Sequence, residues 1–219
     1  MIQIQVDTQG QVVAIGQRLE RLAFEAPNVL RLSLNAAARQ VRKQLKKDVA
    51  DTYTVEDSVL KDSSKGAPRL QTAKPGKMEA VIRSRGPMLD LLEFMVRSSD
   101  RGVQAKVLES GGLKFLERGG APAFINQFEN GHRAVLQRQV DQTYTMAGAE
   151  SRIKKYGMPT KKGKWPDLTR IKKLLGPAVP SMMANEEVQD RGRALLYQVL
   201  NQEIDKRISR MLKQQQKKG

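Results

Sequence analysis

Apolar residues recur at helical spacing toward both ends of the chain and alternate through its middle third. From Gln11, Val12, Ile15, Leu19 and Leu22 share one helical face, which predicts a helix ending before Pro27. Proline suits a first helical turn, so a second helix is expected to begin near Pro27 and run to about Tyr53. Its apolar stripe is Leu30, Leu34, Ala38, Val41, Leu45 and Val49, with Arg39, Arg42, Lys43, Lys46 and Lys47 off that stripe. Val55 to Asp62 adds one or two short turns, and IQIQV at Ile2 to Val6 alternates like a short edge strand. A final helix is expected from about Asn185 to Lys213, with Val188, Leu195, Val199, Ile204, Ile208 and Met211 on one stripe. Leu196, Leu200 and Leu212 widen that stripe.

Between these helices the pattern changes at Ser63. Arg69 to Lys74 and Lys77 to Arg85 read as strands around a Lys74-Pro75-Gly76 turn, and Val103 to Glu109 and Leu113 to Arg118 as strands about Gly111-Gly112. Met88 to Met95 is either a short helix or a strand-like connection. The clearest local signal is Asn130-Gly131 between two apolar-bearing runs, which predicts a two-residue hairpin with a type I′ turn. That turn places Ile125 opposite Leu136 and Gln127 opposite Ala134 on a core face. The other face then pairs Phe128 with Arg133, Asn126 with Val135 and Phe124 with Gln137. Residues 139–183, rich in Lys and Gly, read as a long basic loop with a helical turn at Leu168 to Leu175. The expected fold class is α+β: a small antiparallel sheet of hairpins packed by long N-terminal and C-terminal helices, with a long basic loop. A single domain is expected over 1–219, divided into N-terminal helices (1–62), antiparallel strands (63–140), the basic loop (141–183) and the C-terminal helix (184–213).

Composition narrows the function. The 219 residues carry a net charge of +16, and 39% are hydrophobic but only 5% aromatic, which is lean for a self-sufficient core. Half of that charge falls in residues 151–183, with nine bases and one acid, whereas 111–150 is neutral. So local an excess points to an anionic partner rather than to general solubility. With no cysteine, disulfides, Cys-ligated zinc and a thiol nucleophile are ruled out. No apolar run is long enough to span a membrane, and the first residues resemble no signal peptide, so a soluble, reducing compartment is expected.

Candidate chemistry is sparse. His132 is the only histidine, and Glu129-Asn130-Gly131-His132-Arg133 is ordinary turn composition, so no catalytic residue, metal site or cofactor is expected. Neither phosphate-binding glycine signature occurs. Glu186, Glu187 and Asp190 suit the positive end of a helix dipole. Lys154, Lys155, Lys161, Lys162, Lys164, Arg170, Lys172 and Lys173, with Tyr156 and Trp165 between them, could contact a phosphate backbone or an acidic protein surface. The apolar surface of the long helices exceeds what short strands can cover, which favours packing between subunits.

One stretch carries a resemblance. PAFINQFENGHRAVLQR, followed some thirty residues later by IKKLLGPAVPSMM, resembles the prophage minor tail protein Z family, the tail completion proteins of long-tailed bacteriophages. Ala123, Phe124, Ile125, Asn130, Gly131 and Arg138 match the first part of the pattern, and Leu175, Gly176, Pro177, Val179 and Pro180 the second. The likeness extends loosely from about Leu30 to Leu212. It implies a structural virion protein, not an enzyme, at the head-proximal end of the tail, assembled in the host cytoplasm. The implied form is a homo-oligomeric ring, sixfold, that joins the tail terminator and tube to the head connector with the genome passing through. The residues expected to meet partners are Asn130, Gly131, His132, Arg133 and Arg138 of the hairpin, with the basic set around Trp165. The alternatives are a DNA-binding protein acting outside the virion, or another neck or tail-terminator component.

Overall fold

A computed structural model describes residues 8–143 and 169–217. The fold is α+β, and the chain divides into two compact units, residues 1–87 with 177–219, and residues 88–176. The expected edge strand at Ile2 to Val6 lies outside the described residues.

The first unit is built on two long helices. Helix α1, Thr8–Leu19, runs through a 3-10 segment at Glu20–Glu25 into α2, Ala26–Thr52, which carries Pro27 in its first turn. Every residue of the expected α2 stripe is buried, from Leu30 through Val41 to Val49. A short helix α3, Asp57–Leu60, follows. Helix α4, Val179–Met183, leads into α5, Glu186–Gln216, whose buried positions are Val188, Gly192, Leu196, Val199, Leu200, Ile204 and Ile208. Leu195, expected on the buried stripe, is only half-buried, because α5 turns Gly192 and Leu196 toward α2. A Cβ at Gly192 would lie 2.9 Å from Leu45 Cδ2, so the missing side chain is what lets the two helices approach. Asn185 caps α5 by accepting from the Glu187 amide at 3.0 Å, with Glu186 and Glu187 in the first turn, as the dipole favours.

Strands β1, Arg69–Gln71, and β2, Val81–Arg83, form an antiparallel hairpin on α2, closed by a bridge between Lys74 and Lys77. Buried Asn35 ties this hairpin to the helix. Its Nδ2 donates to the Ala73 carbonyl at 2.9 Å while its Oδ1 accepts from the Ala73 amide at 2.7 Å. One amide side chain thus satisfies both backbone groups of a residue that is itself buried.

Among the described residues, the regular elements of the second unit are strands apart from one 3-10 turn at Leu91–Glu93. The strands are β3 (Leu89–Asp90), β4 (Met95–Ser99), β5 (Gly102–Lys106), β6 (Lys114–Phe115), β7 (Glu117–Arg118), β8 (Ala121–Pro122), β9 (Phe124–Gln127), β10 (Arg133–Thr143), β11 (Thr169–Lys173) and β12 (Leu175–Gly176). They pair as β4-β5-β6, β7-β8, β9-β10-β11 and β3-β12, all antiparallel. Met88 to Met95, left open between helix and strand, is thus β3, the turn and the start of β4. Fully buried Ala123 links the small sheets: its amide donates to Leu116 at 2.7 Å and its carbonyl accepts from Val103 at 3.2 Å.

Two outcomes follow in the first unit. Asn35→Leu strands the Ala73 N–H and C=O in an apolar setting and should lower unfolding free energy by about 2–4 kcal/mol, read by urea denaturation. Asp62 receives Lys46 and Arg42 from α2, and their hydrogen bonds hold its carboxyl down from 3.8 to about 2. A depressed folded pKa means that this contribution is present above pH 3.8 and lost as pH falls toward 2. A carboxyl-carbon NMR titration should show that low midpoint, and Lys46→Ala/Arg42→Ala should return it toward the ordinary value.

Candidate interaction surface

Sheet β9-β10-β11 holds most of the described residues expected to meet partners. The Asn-Gly hairpin forms, but with a different turn and register. The Gly131 amide donates to the Phe128 carbonyl at 2.8 Å and the Phe128 amide to the His132 carbonyl at 2.8 Å, which closes a three-residue loop of Glu129, Asn130 and Gly131. Only Gly131 has positive φ, at +78°, whereas a type I′ turn needs it at Asn130 too. Asn130 instead uses its side chain, whose Oδ1 accepts from the His132 amide at 3.0 Å. The extra loop residue shifts the pairing by one position: Phe124 faces Leu136, Ile125 faces Val135, Asn126 faces Ala134 and Gln127 faces Arg133. The expected core-and-mixed division of faces is therefore corrected. Ala134, Val135, Leu136 and Gln137 are buried in succession, so β10 is covered on both faces. On one side the β7-β8 hairpin contributes: Gln137 Nε2 donates to the Ala121 carbonyl at 3.2 Å, and Arg118 reaches Gln139 Oε1 at 3.2 Å and Asp141 Oδ2 at 3.0 Å.

Residues 169–173 correct a second expectation. In place of a helical turn they form β11, antiparallel to β10, with Arg170 opposite Gln139, Ile171 opposite Arg138, Lys172 opposite Gln137 and Lys173 opposite Leu136. The eleven-residue β10 supplies a ladder whose hydrogen bonds outweigh the weak local preference of TRIKK. Strand alternation splits the basic run: Arg170 and Lys172 share a face, and Lys173 points to the other with Arg138 and Ile171. Lys154, Lys155, Lys161, Lys162, Lys164 and Trp165 lie outside the described residues, as does the core of the expected basic loop.

Lys173 finds an acid that sequence reasoning missed. Asp90 on β3 forms an ion pair with Lys173 and lies 3.4 Å from His132 Nε2, while Lys173 Nζ is 3.0 Å from the same nitrogen. An ammonium can only donate, so in the Lys173 contact Nε2 is the acceptor. Phe128 stacks on the ring, with centroids 6.0 Å apart. This cluster pins the hairpin tip to β11 and β3. No hydroxyl side chain is bonded to His132 among the described residues, and no group of three metal-ligating side chains occurs among them. Arg138 lies over the Phe124 ring at 6.0 Å, and Arg133 is exposed. Asp90 has no local sequence signature. It is brought in by β3 pairing with β12, which places Asp90 opposite Leu175.

The second matched motif also has a packing reason. A Cβ on Gly176 would lie 2.3 Å from Phe94 Cε2, so only glycine lets β12 lie against that buried ring. In the first unit, Ala178 precedes α4, Pro180 occupies its first turn and Val179 is fully buried.

No protein-family model matches the chain, and no curated protein or solved structure does. No helix among the described residues is long and apolar enough to cross a membrane.

Gly131→Val forces a branched side chain into the left-handed region and should cost about 1–2 kcal/mol of stability, seen as an earlier thermal midpoint. Gly131→Asn, which tolerates that conformation better, should recover most of the loss.

Proposed function

We propose that the chain is a structural, non-enzymatic phage virion protein, a tail completion protein at the head-proximal end of the tail. In this reading, copies assemble into a ring, sixfold, that joins the tail terminator and tube to the head connector while DNA passes through. The observation that carries it is that the residues behind the resemblance are architectural. Gly131 sets the hairpin loop, Gly176 clears the Phe94 ring, and Val179 and Pro180 form α4, with no reactive group among them. The exposed apolar side chains of the second unit support an assembly role as well. Phe115, Phe128, Val140, Ile171 and Leu175 each leave at least 40% of their surface open. The hairpin residues Asn130, Gly131, His132, Arg133 and Arg138 would present this surface to a neighbouring subunit or tail component. Lys154, Lys155, Lys161, Lys162, Lys164, Trp165, Arg170, Lys172 and Lys173 would face DNA in the channel or an acidic partner.

Native mass spectrometry of the purified protein, alone and with tail-tube and terminator proteins, tests the reading. A discrete ring that appears beside tail components is the expected result. A stable monomer or dimer that ignores them and holds duplex DNA tightly would favour a DNA-binding protein acting outside the virion. In a complementation assay, charge reversal across residues 154–173 should abolish head–tail joining while leaving tails of normal length.

A further inference from the structure

The β1-β2 hairpin of the first unit carries a concentration of charge that no part of the tail-joining reading uses. Residues 63–87 hold six bases and one acid. The strand register sets Arg69 directly opposite Arg83, and both are exposed. Directly opposed side chains on an antiparallel pair have Cβ atoms about 5 Å apart, and like charges there destabilise the pair. A second approach doubles the arrangement. A Cβ on Gly86 would lie 2.8 Å from Gly66 Cα and 3.9 Å from the Lys65 carbonyl carbon, so the Lys65-Gly66 and Arg85-Gly86 backbones touch. Ser84 Oγ fastens them by donating to the Gly66 carbonyl at 2.7 Å. Lys65 and Arg85, each exposed, therefore leave adjoining stretches of backbone.

None of these four cations has an ion pair or side-chain hydrogen bond among the described residues. The two nearby acids are engaged elsewhere: Asp62 with Arg42 and Lys46, and Glu79 with Lys77 at 3.2 Å. The fold thus sets Arg69 against Arg83 on a hairpin anchored by Asn35, and brings the Lys65 and Arg85 backbones together at its base, without internal compensation.

We propose that Arg69, Arg83, Lys65 and Arg85 form a binding site for the phosphodiester backbone of a nucleic acid. Phosphate is favoured over carboxylate because opposed guanidiniums offer paired N–H forks to the several oxygens of one or two neighbouring phosphates. Recognition is of backbone charge, not of base sequence. The inference stands apart from the ring and from the 154–173 stretch.

The test is fluorescence anisotropy with a short labelled duplex of mixed sequence, across a salt series, on the full chain. Each lost phosphate contact removes about 0.9 from the slope of log K against log salt, so Arg69→Gln/Arg83→Gln should lower it by about 2. The single variants should each lower it by about half as much, and they carry the test if the double variant melts early. Arg210→Gln/Lys213→Gln, which removes the same charge from the exposed end of α5, should leave the slope unchanged. An unchanged slope in the hairpin variants, or an equal loss in the α5 control, overturns the site. Equal binding of a poly-glutamate peptide with the same arginine dependence overturns the phosphate assignment in favour of an acidic protein segment.

Discussion

The first unit depends on the contact of α2 with α5, elements from opposite ends of the chain. Bringing them together costs closure entropy that grows only slowly with the length of the intervening chain, so a continuous apolar seam can offset it. Val41 and Leu45 of α2 meet Gly192 of α5, and Leu196, Val199 and Leu200 continue the α5 face. Gly192 is costly in an isolated helix but here exchanges propensity for closeness, since any side chain would strike Leu45 first. Once that seam exists, Asn185 at the start of α5 can donate to Tyr53 at the end of α2 at 3.2 Å, and Asn35 can hold the β1-β2 hairpin. Those polar contacts are consequences of the seam. Alone, neither could fix helices so remote in sequence.

The helices were legible because their signals are local and repeated. Six stripe residues and Pro27 define α2, and Asn185 followed by Glu186 and Glu187 defines the start of α5. The hairpin was legible only in part. Asn-Gly serves a two-residue type I′ loop, and it serves equally a three-residue loop with Gly131 alone in the left-handed region. The choice depends on what β10 packs against on each face, and no local pattern records that. The same holds for β11, whose TRIKK sequence offers only Thr169 and Ile171 as strand formers among three bases and becomes a strand because β10 offers it an edge. Asp90 was invisible for a related reason: an acid in a short strand acquires a role only when β12 and β11 bring Lys173 to it.

A net charge of +16 is a sum over cations in different situations. Lys173 is tied to Asp90, Arg42 and Lys46 share Asp62, Arg118 meets Asp141, and Arg18 meets Asp205. Those pairs position strands and helices, and exposed ones of this kind add little stability singly. The one-to-one pairs are nearly neutral at a distance, so their electrostatic reach outside the protein is small, whereas Arg42, Lys46 and Asp62 together keep one net positive charge.

The cations that remain decide what the surface attracts. An unpaired exposed base is ordinary by itself, since water solvates it well. Opposed arginines on a two-strand ladder are different, because the backbone pairing fixes the close spacing of the positions from which both side chains leave. The Ser84 bond to the Gly66 carbonyl and the close approach of Gly66 to Gly86 hold the base of the hairpin together against the repulsion. An anion placed between the two guanidiniums reverses the sign of the local interaction, and the hairpin gains stability only when that anion is present. The ladder pre-organises the backbone positions from which both arginines reach a charged partner, so the ordering cost on binding falls on their exposed side chains and not on the chain that carries them.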